Sequence, residues 1–491
     1  MEVIKIVSPA AYARQTNDAG RCYVYDSLVS FSMRSVVACI CLMVSPALVA
    51  QSVTYSFEEA RDLMLRHSAA LKAADAKVQM ASKERGRVNA LWWPQLQAEG
   101  AYMHLSEKVE VRQPLSYYTD PLKADVQRIV PGEELVTGLL DRVGQYTFTF
   151  PLLPQDIASV DLTAEWVAFS GGKRYYADRV ARRLVDVAQI GSERVASAEQ
   201  VLLVERYYGL VLARHTTEVC HQRYEAMQRH YADALRMEQV GLIDKAARLA
   251  TQVAMEEAER EWHHAESVEQ VRQTALKQLL GVVADETEIV PTSPLLVSEE
   301  LPAEQAFMES MLRDNYTLAS LSLEEQMAGD KLRIDLGGYL PEVALFGKQT
   351  LWAHGLPSNL MPRTVVGVGF AWNLFDGLDR ERKVAQTKLA QQSLAWSREE
   401  AEADLKVLVS ELYATLQRTR DDIRVLDSTI TLSEELLRMR RTAFAEGMST
   451  STELIDAEDA LATARLARLT AQYTYQVAMA NLQAVCGGDP L

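Results

Sequence analysis

Apolar side chains recur at helical spacing from Phe57 to Leu91, at Ala60, Leu63, Met64, Leu71, Ala74 and Val78. The pattern predicts one amphipathic helix of about nine turns at 3.6 residues per turn, ended by Pro94. Beyond that proline the period falls to two. Leu96, Ala98, Gly100 and Tyr102 alternate with Gln95, Gln97, Glu99 and Ala101, as in a strand with one apolar and one polar face. A second alternating run sets Val160, Leu162, Ala164, Trp166 and Ala168 against Asp161, Thr163 and Glu165. The stretch between the two, which includes Tyr146-Thr147-Phe148-Thr149-Phe150, reads as irregular. Past Gly171 the period returns to helical. Heptad-like spacing runs from about Tyr176 to Glu238, a rod of roughly 95 Å at 1.5 Å per residue. Gly241 breaks it, and a return helix is expected from about Lys245 to Leu280, completing an antiparallel coiled-coil hairpin.

The same order then occurs again. A helix is expected from about Ala303 to Asp335, followed by Pro341 and by a strand in which Val343, Leu345 and Gly347 alternate with Glu342, Ala344 and Phe346. A loop with Pro357 and Pro362 leads to a Gly-rich fourth strand from Thr364 to Phe375. Helices are predicted over 382–446 and 452–485, with Gly447 between them. Trp93-Pro94 and Leu340-Pro341 are 247 positions apart, as are Arg66-His67-Ser68 and Arg313-Asp314-Asn315. From Gly171 to Gly241 is 70 positions, and from Gly377 to Gly447 is 70 again. A period of this size exceeds the roughly 20–50 residues of solenoid units. The chain therefore divides into a first repeat over 51–290, a linker over 291–302 and a second repeat over 303–487. The first hairpin of strands carries an insertion of 41 residues, placed in an exposed loop.

Composition narrows the function classes. Of the 491 residues only 7% are aromatic, which suits long helices packed along a seam. A net charge of −16 without a clustered basic face argues against nucleic acid as partner. Residues 33–50 begin Met33-Arg34-Ser35, continue apolar and close on Leu48-Val49-Ala50, as in a secretory signal peptide; a short membrane anchor is the alternative. Residues 1–32 read as a long leader or a mis-called start. Three of five cysteines fall in these segments, so Cys220 and Cys486 imply no disulfide framework. His263-His264 and His215 with His221 are poorly spaced for one helical face, and no metal or cofactor is expected. No nucleophile elbow or phosphate loop occurs, so the chain does not read as an enzyme.

Four strands cannot close a membrane barrel, which needs about eight, and an open sheet leaves two unpaired edges. Trimerisation supplies twelve strands around one axis, with twelve long helices continuing them. In lipid such closure is compulsory, because every backbone donor and acceptor must be satisfied.

The doubled order, together with Leu374-Phe375-Asp376-Gly377, Val240-Gly241-Leu242 and Gly447-Met448-Ser449-Thr450-Ser451-Thr452-Glu453-Leu454-Ile455-Asp456-Ala457, resembles the TolC-type outer-membrane efflux proteins. The resemblance covers nearly all of 55–487. It implies a mainly α chain with a membrane β-barrel contribution, trimeric, forming a 12-stranded barrel and an α-helical tunnel. It also implies an outer-membrane location with the tunnel in the periplasm. The implied function is passive conduction from an inner-membrane pump and a periplasmic adaptor to the exterior, in drug efflux or type I secretion. Val240, Gly241 and Leu242 match the family's adaptor-docking tip. Glu446, Gly447 and Met448 are the second-repeat counterpart, with Glu446 departing from the usual apolar residue. Glu453 and Asp456 match acidic rings at the periplasmic mouth, and Phe169, Gly171, Phe375 and Gly377 mark the strand-to-helix junctions. Residues i and i+3 share a helix face, so on a threefold axis the two acids would stack as rings favouring cations. The first repeat has Ala247 and Ala250 there.

Each residue also has a plainer reading. Glu453 and Asp456 suit a solvated helix face, and Gly241 and Gly447 are needed for the backbone turn alone. Trp92, Trp93, Trp166, Trp352 and Trp372 beside strand ends suit a membrane interface or ordinary packing. The rival for the whole chain is a periplasmic adaptor or coiled-coil scaffold, which would show one hairpin flanked by small barrel domains.

Overall fold

The computed structural model describes residues 52–131, 134–282, 288–298, 300–356 and 362–488; the expected leader and signal peptide lie outside the described residues. In chain order the elements are β1 (Ser52–Tyr55), α1 (Phe57–His67), α2 (Ala69–Ala90), β2 (Gln95–His104), β3 (Val109–Pro114), α3 (Ser116–Ile129), α4 (Glu134–Gly144), β4 (Thr147–Leu153) and β5 (Asp156–Phe169). The first helical hairpin, α5 (Lys173–Gln239) and α6 (Lys245–Leu280), leads to β6 (Glu288–Pro291). The second repeat comprises α7 (Glu304–Asp314), α8 (Tyr316–Leu336), a single 3-10 turn, β7 (Glu342–His354), β8 (Thr364–Ala371), α9 (Asp379–Ala445) and α10 (Ser451–Val485).

The outgoing helices α5 and α9 are each 67 residues long, about 100 Å. The hairpins stand where periodicity places them. The shorter helices differ: where one was expected before each Pro, there are two. At Ser68 the backbone leaves the helical region (φ −53°, ψ 121°), and its hydroxyl caps the next helix by accepting from Leu71 N–H at 3.3 Å. Asn315 does the same 247 positions later (φ −66°, ψ 127°), accepting from the N–H groups of Thr317 and Leu318. Both are residues that favour the N-cap, so each break is written in the chain as a capping residue inside an otherwise continuous apolar period.

The first repeat ends in β6, whose last residue, Pro291, opens the expected linker; β6 pairs in parallel with β1, Ser52 opposite Glu288. Tyr207, fully buried in α5, holds the pair: its hydroxyl donates to Tyr55 O at 2.8 Å and accepts from Thr292 and Ser293 N–H at 3.0 Å each. Tyr207 shares a core with Phe57, Met64, Leu203, Leu210, Leu276 and Leu280. Thus a four-residue strand that no local pattern announces is anchored by one phenol with three partners.

A single antiparallel sheet joins the repeats in the order β2-β5-β7-β8. Opposite residues share a face, which makes it amphipathic. Leu96, Leu162, Leu345, Val368 and Phe370 lie on one face; Gln97, Glu99, Asp161, Thr163 and Lys348 lie on the other. Asp161 sits among Thr350 Oγ1 (2.6 Å), Lys348 Nζ (2.9 Å) and Ser159 Oγ (3.1 Å) on the polar face. The weak alternation of β8 has a cause: Gly367 and Gly369 leave room for the ring of Phe346, and a Cβ at Gly367 would lie 2.6 Å from it. Among the described residues β2 and β8 are edges without partners. The region read as irregular is ordered instead: β3 and β4 pair as a ribbon that prolongs β2 and β5, tipped by α3 and α4. The ribbon register shifts at Val109–Glu110. Among the described residues no helix is long and apolar enough to cross a membrane.

Candidate functional site

Two places repeat with matched geometry: the junctions where strands turn into α5 and α9, and the tips where each hairpin reverses. At the first junction Gly171 and Gly172 both have positive φ (+63° and +80°). A Cβ on Gly171 would lie 2.4 Å from the carbonyl oxygen of Gly337, so the two repeats touch backbone to backbone there. Gly377 has the same sign of φ (+74°) but open space around it. Leu378, which follows, is the one described non-glycine residue with positive φ (+69°). Phe169 and Phe375 lie beside these turns and are 45% and 76% exposed.

The residues that fix the junctions are an arginine and a tryptophan in each repeat. Arg174 donates to the carbonyls of Leu91 (3.0 Å) and Ala168 (2.8 Å) and lies 4.7 Å over the Trp92 ring. Arg380 donates to Asn373 O (2.8 Å) and Leu374 O (3.2 Å), pairs with Asp376 at 2.8 Å and lies 5.0 Å over Tyr339. Trp166 Nε1 donates to Trp92 O at 2.9 Å, and Trp372 Nε1 to Tyr339 O at 3.1 Å. In both repeats the carbonyls left unpaired where the preceding helix ends are tied to the strand and to the next helix. Arg174 and Arg380 are 206 positions apart, the separation of Gly171 and Gly377, and so are Trp166 and Trp372. That shared offset is the signal that finds them; the indole N–H bonds fix these two tryptophans at the junctions while they stay 38% and 55% exposed.

At the tips both hairpins end in the same Schellman motif. Leu242 N–H donates to Met237 O (2.9 Å) and Gly241 N–H to Glu238 O (3.0 Å); Met448 N–H donates to Ala443 O (2.8 Å) and Gly447 N–H to Phe444 O (3.0 Å). The glycines take φ of +76° and +73°. Val240, Leu242 and Met448 are then left 70–73% exposed, and Glu446 is exposed.

The structure separates the two acids past the second tip. Glu453 belongs to a capping box: Thr450 Oγ1 accepts from Glu453 N–H (3.3 Å), while the Glu453 carboxylate accepts from Thr450 N–H (3.0 Å) and Ser449 Oγ (2.7 Å). The Ser449 hydroxyl, the Thr450 N–H and Arg440 at 3.2 Å hold this carboxyl below its ordinary range. The first tip places its carboxylate one turn earlier, where Asp244 caps α6 by accepting from Ala247 N–H at 2.8 Å. Each tip therefore sets one carboxylate on a positive helix terminus, and the Ala247–Glu453 difference is an exchange of capping design. Asp456 is different. It lies on an exposed stripe with Thr452, Ala460, Thr463 and Ala467, while Leu454, Ala457 and Leu461 turn into the hairpin core.

Between the hairpins, Arg223 of α5 bridges Glu261 of α6 and Asp459 of α10, the latter at 2.8 Å. Nearer the tips His230 is buried edge-on against Phe444 at 4.7 Å, its ring nitrogens without a hydrogen bond of good geometry. Burial pushes its pKa down, opposed by the Ser451 backbone and by Asp233. Among the described residues no group of three or more His, Cys, Asp or Glu could hold a metal ion, and both described cysteines are buried and free.

Residues 308–488 match a family model described as outer membrane efflux protein. Over 314 residues the chain is 23% identical to alkaline protease secretion protein AprF of Pseudomonas aeruginosa, a match spanning 62% of this chain and 65% of that relative. The fold is similar to the Campylobacter jejuni CmeC outer membrane channel (TM-score 0.70, 13% identity, 88% of this chain and 86% of that one). It is also similar to the open state of the Neisseria gonorrhoeae MtrE outer membrane channel (TM-score 0.67, 17% identity, 88% and 89%).

Proposed function

We infer that this chain belongs with the outer membrane efflux proteins and is an outer-membrane channel, passively conducting substrates delivered by an inner-membrane pump and a periplasmic adaptor to the exterior. The observation that carries this reading is the sheet. Its four strands come from both repeats, one face is apolar, both edges are open, and it sits at one end of two 67-residue helices. Three copies close it into twelve strands, the geometry an outer-membrane barrel requires. An adaptor or scaffold would not draw one membrane-suited sheet from two repeats. The test is fractionation followed by electrophoresis. Heat-modifiable trimers in the outer membrane are expected, whereas soluble or inner-membrane protein would overturn the reading.

The tips are the proposed adaptor contacts. Val240, Leu242 and Met448 present apolar side chains on a turn whose backbone is already satisfied, so they are free to enter a partner's groove. Leu242→Glu should abolish co-purification of the cognate adaptor while leaving trimers intact; unchanged recovery would remove Leu242 from the interface. Asp456, with Glu453 beside it, is the proposed ring at the periplasmic mouth. Its support is the exposed stripe of small residues, on which Asp456 is the charged member between Thr452 and Ala467.

A further inference from the structure

The insertion in the first strand hairpin has an apolar surface that the chain itself does not cover. In α3 the face toward α4 is formed by Ser116, Thr119, Lys123 and Val126, and α4 answers with Thr137, Leu140 and Gly144. Thr119 packs on Gly144, where a Cβ would meet its hydroxyl at 2.7 Å, and Lys123 closes the pair on Asp141 at 2.5 Å. Each helix carries an apolar stripe beside this largely polar face. Tyr118, Leu122 and Ile129, at i, i+4 and i+11, are 55–77% exposed, and Leu135, Leu139 and Val143, at i, i+4 and i+8, are 42–73% exposed. The helix pair closes on a mostly polar face, so each helix leaves its apolar stripe for another layer.

The position of the insert names that layer. β2 is ten residues long, about 33 Å, which at the usual barrel tilt already spans the roughly 25 Å apolar band of an outer-membrane barrel. The ribbon therefore emerges on the far side of the membrane from the helices. Its base is pinned, because the Asp156 carboxylate accepts from Tyr102 Oη (2.8 Å) and meets His104 Nδ1 (2.7 Å), and Gly355 lies against Pro154 and Asp156 so closely that no Cβ would fit. β3 prolongs β2, and β2 is the edge that must pair with the next copy, so the insert rises directly over the seam between protomers. A lipid surface fits poorly as occupant. Asp120, Asp125, Glu134 and Asp141 outnumber Lys123, Arg128 and Arg142, and Lys123 and Arg128 are already paired, with Asp141 and Asp125.

We propose that the three inserts of a trimer pack against one another outside the barrel, each burying the exposed apolar stripes of its α3–α4 pair on its neighbours and so roofing the outer mouth of the channel. The proposal rests on the trimeric channel reading. It is tested with full-length protein in intact cells, using Ile129→Cys, Leu139→Cys and the two together with a short membrane-impermeant bismaleimide. Gln127→Cys, exposed but off the stripe, is the control. Covalent dimers and trimers should exceed the control about tenfold, as expected for thiols held at millimolar effective concentration. Heat-modifiable trimers are scored on the same gels. Trimers without cross-links, or thiols reached instead by a lipid-phase probe, would overturn the roof and leave the channel standing; absence of trimers would overturn both.

Discussion

Residue by residue, the two acids past Gly447 have different work. Glu453 is held by Ser449 and Thr450 as part of a helix cap, while Asp456 has neighbours of small size on an exposed stripe. Gln can replace Glu in a capping box. Glu453→Gln should therefore leave trimer stability near wild type, whereas Glu453→Ala loses about 1 kcal/mol of cap energy per protomer. Asp456→Ala should reduce cation preference in planar bilayers, and more so combined with Glu453→Ala. Unchanged selectivity in the double variant would remove both residues from the conducting path. The junction glycines make a second contrast. Gly171 and Gly377 share positive φ, so Ala at either costs about 1 kcal/mol from backbone alone. Only Gly171 has a carbonyl in the way of a Cβ, adding about 1–3 kcal/mol of overpacking. Gly171→Ala should lower the thermal dissociation temperature of purified trimers clearly more than Gly377→Ala; equal shifts would argue against the close approach at Gly337.

At the scale of elements, the hairpins are held to each other by a few side chains whose chemistry sets when they separate. His230 of α5 rests against Phe444 of α9. Burial lowers its pKa, so it stays neutral in the packed state, while the same histidine released from the contact takes up a proton near its ordinary value of about 6.5. The separated state then binds more protons below that value, and stability of this contact falls as pH drops through about 6.5 and below, with no dependence above it. The charged groups around the ring are Asp233, Arg229 and Arg236 on its own helix, and Arg441 and Glu458, paired with each other, on α9 and α10. Asp233 works against the shift without reversing it. Protection factors of the tip segments, each taken against the intrinsic exchange rate at its pH, should fall between pH 7.5 and 5.5 in the wild type, and His230→Gln should flatten that change. An equal fall in the variant would assign it to other groups. The breaks at Ser68 and Asn315 belong to this scale too: single capping side chains decide that two helices stand where the apolar period reads as one.

As a whole molecule, the chain is read under the proposed function as one third of a closed object. Among the described residues its sheet ends in two unpaired edges, and its exposed side chains include Leu96 on one edge strand and Val366, Val368 and Phe370 on the other. In water such edges and faces are liabilities; in a trimeric barrel they become seams and lipid-facing surface. The arginine and tryptophan ties at each junction join that sheet to the long helices α5 and α9 at matching points in both repeats. Channel tests and the insert cross-links therefore probe the same assembly from its two ends.

The sequence by itself determined the doubled plan. It gave the long hairpins, whose ends match α6 to the residue, and the spacing of the turns, because a heptad period over sixty residues and a glycine where φ must be positive are local constraints that few arrangements satisfy. Tertiary structure decided what depends on residues far apart in the chain. The β1–β6 pair rests on Tyr207, distant from both strands; β3 and β4 of the insert pair across two helices; and Glu453 and Asp456 divide because one faces a cap and the other faces out. Periodicity tells which face of an element is apolar, but the partner for that face is chosen only when the elements meet.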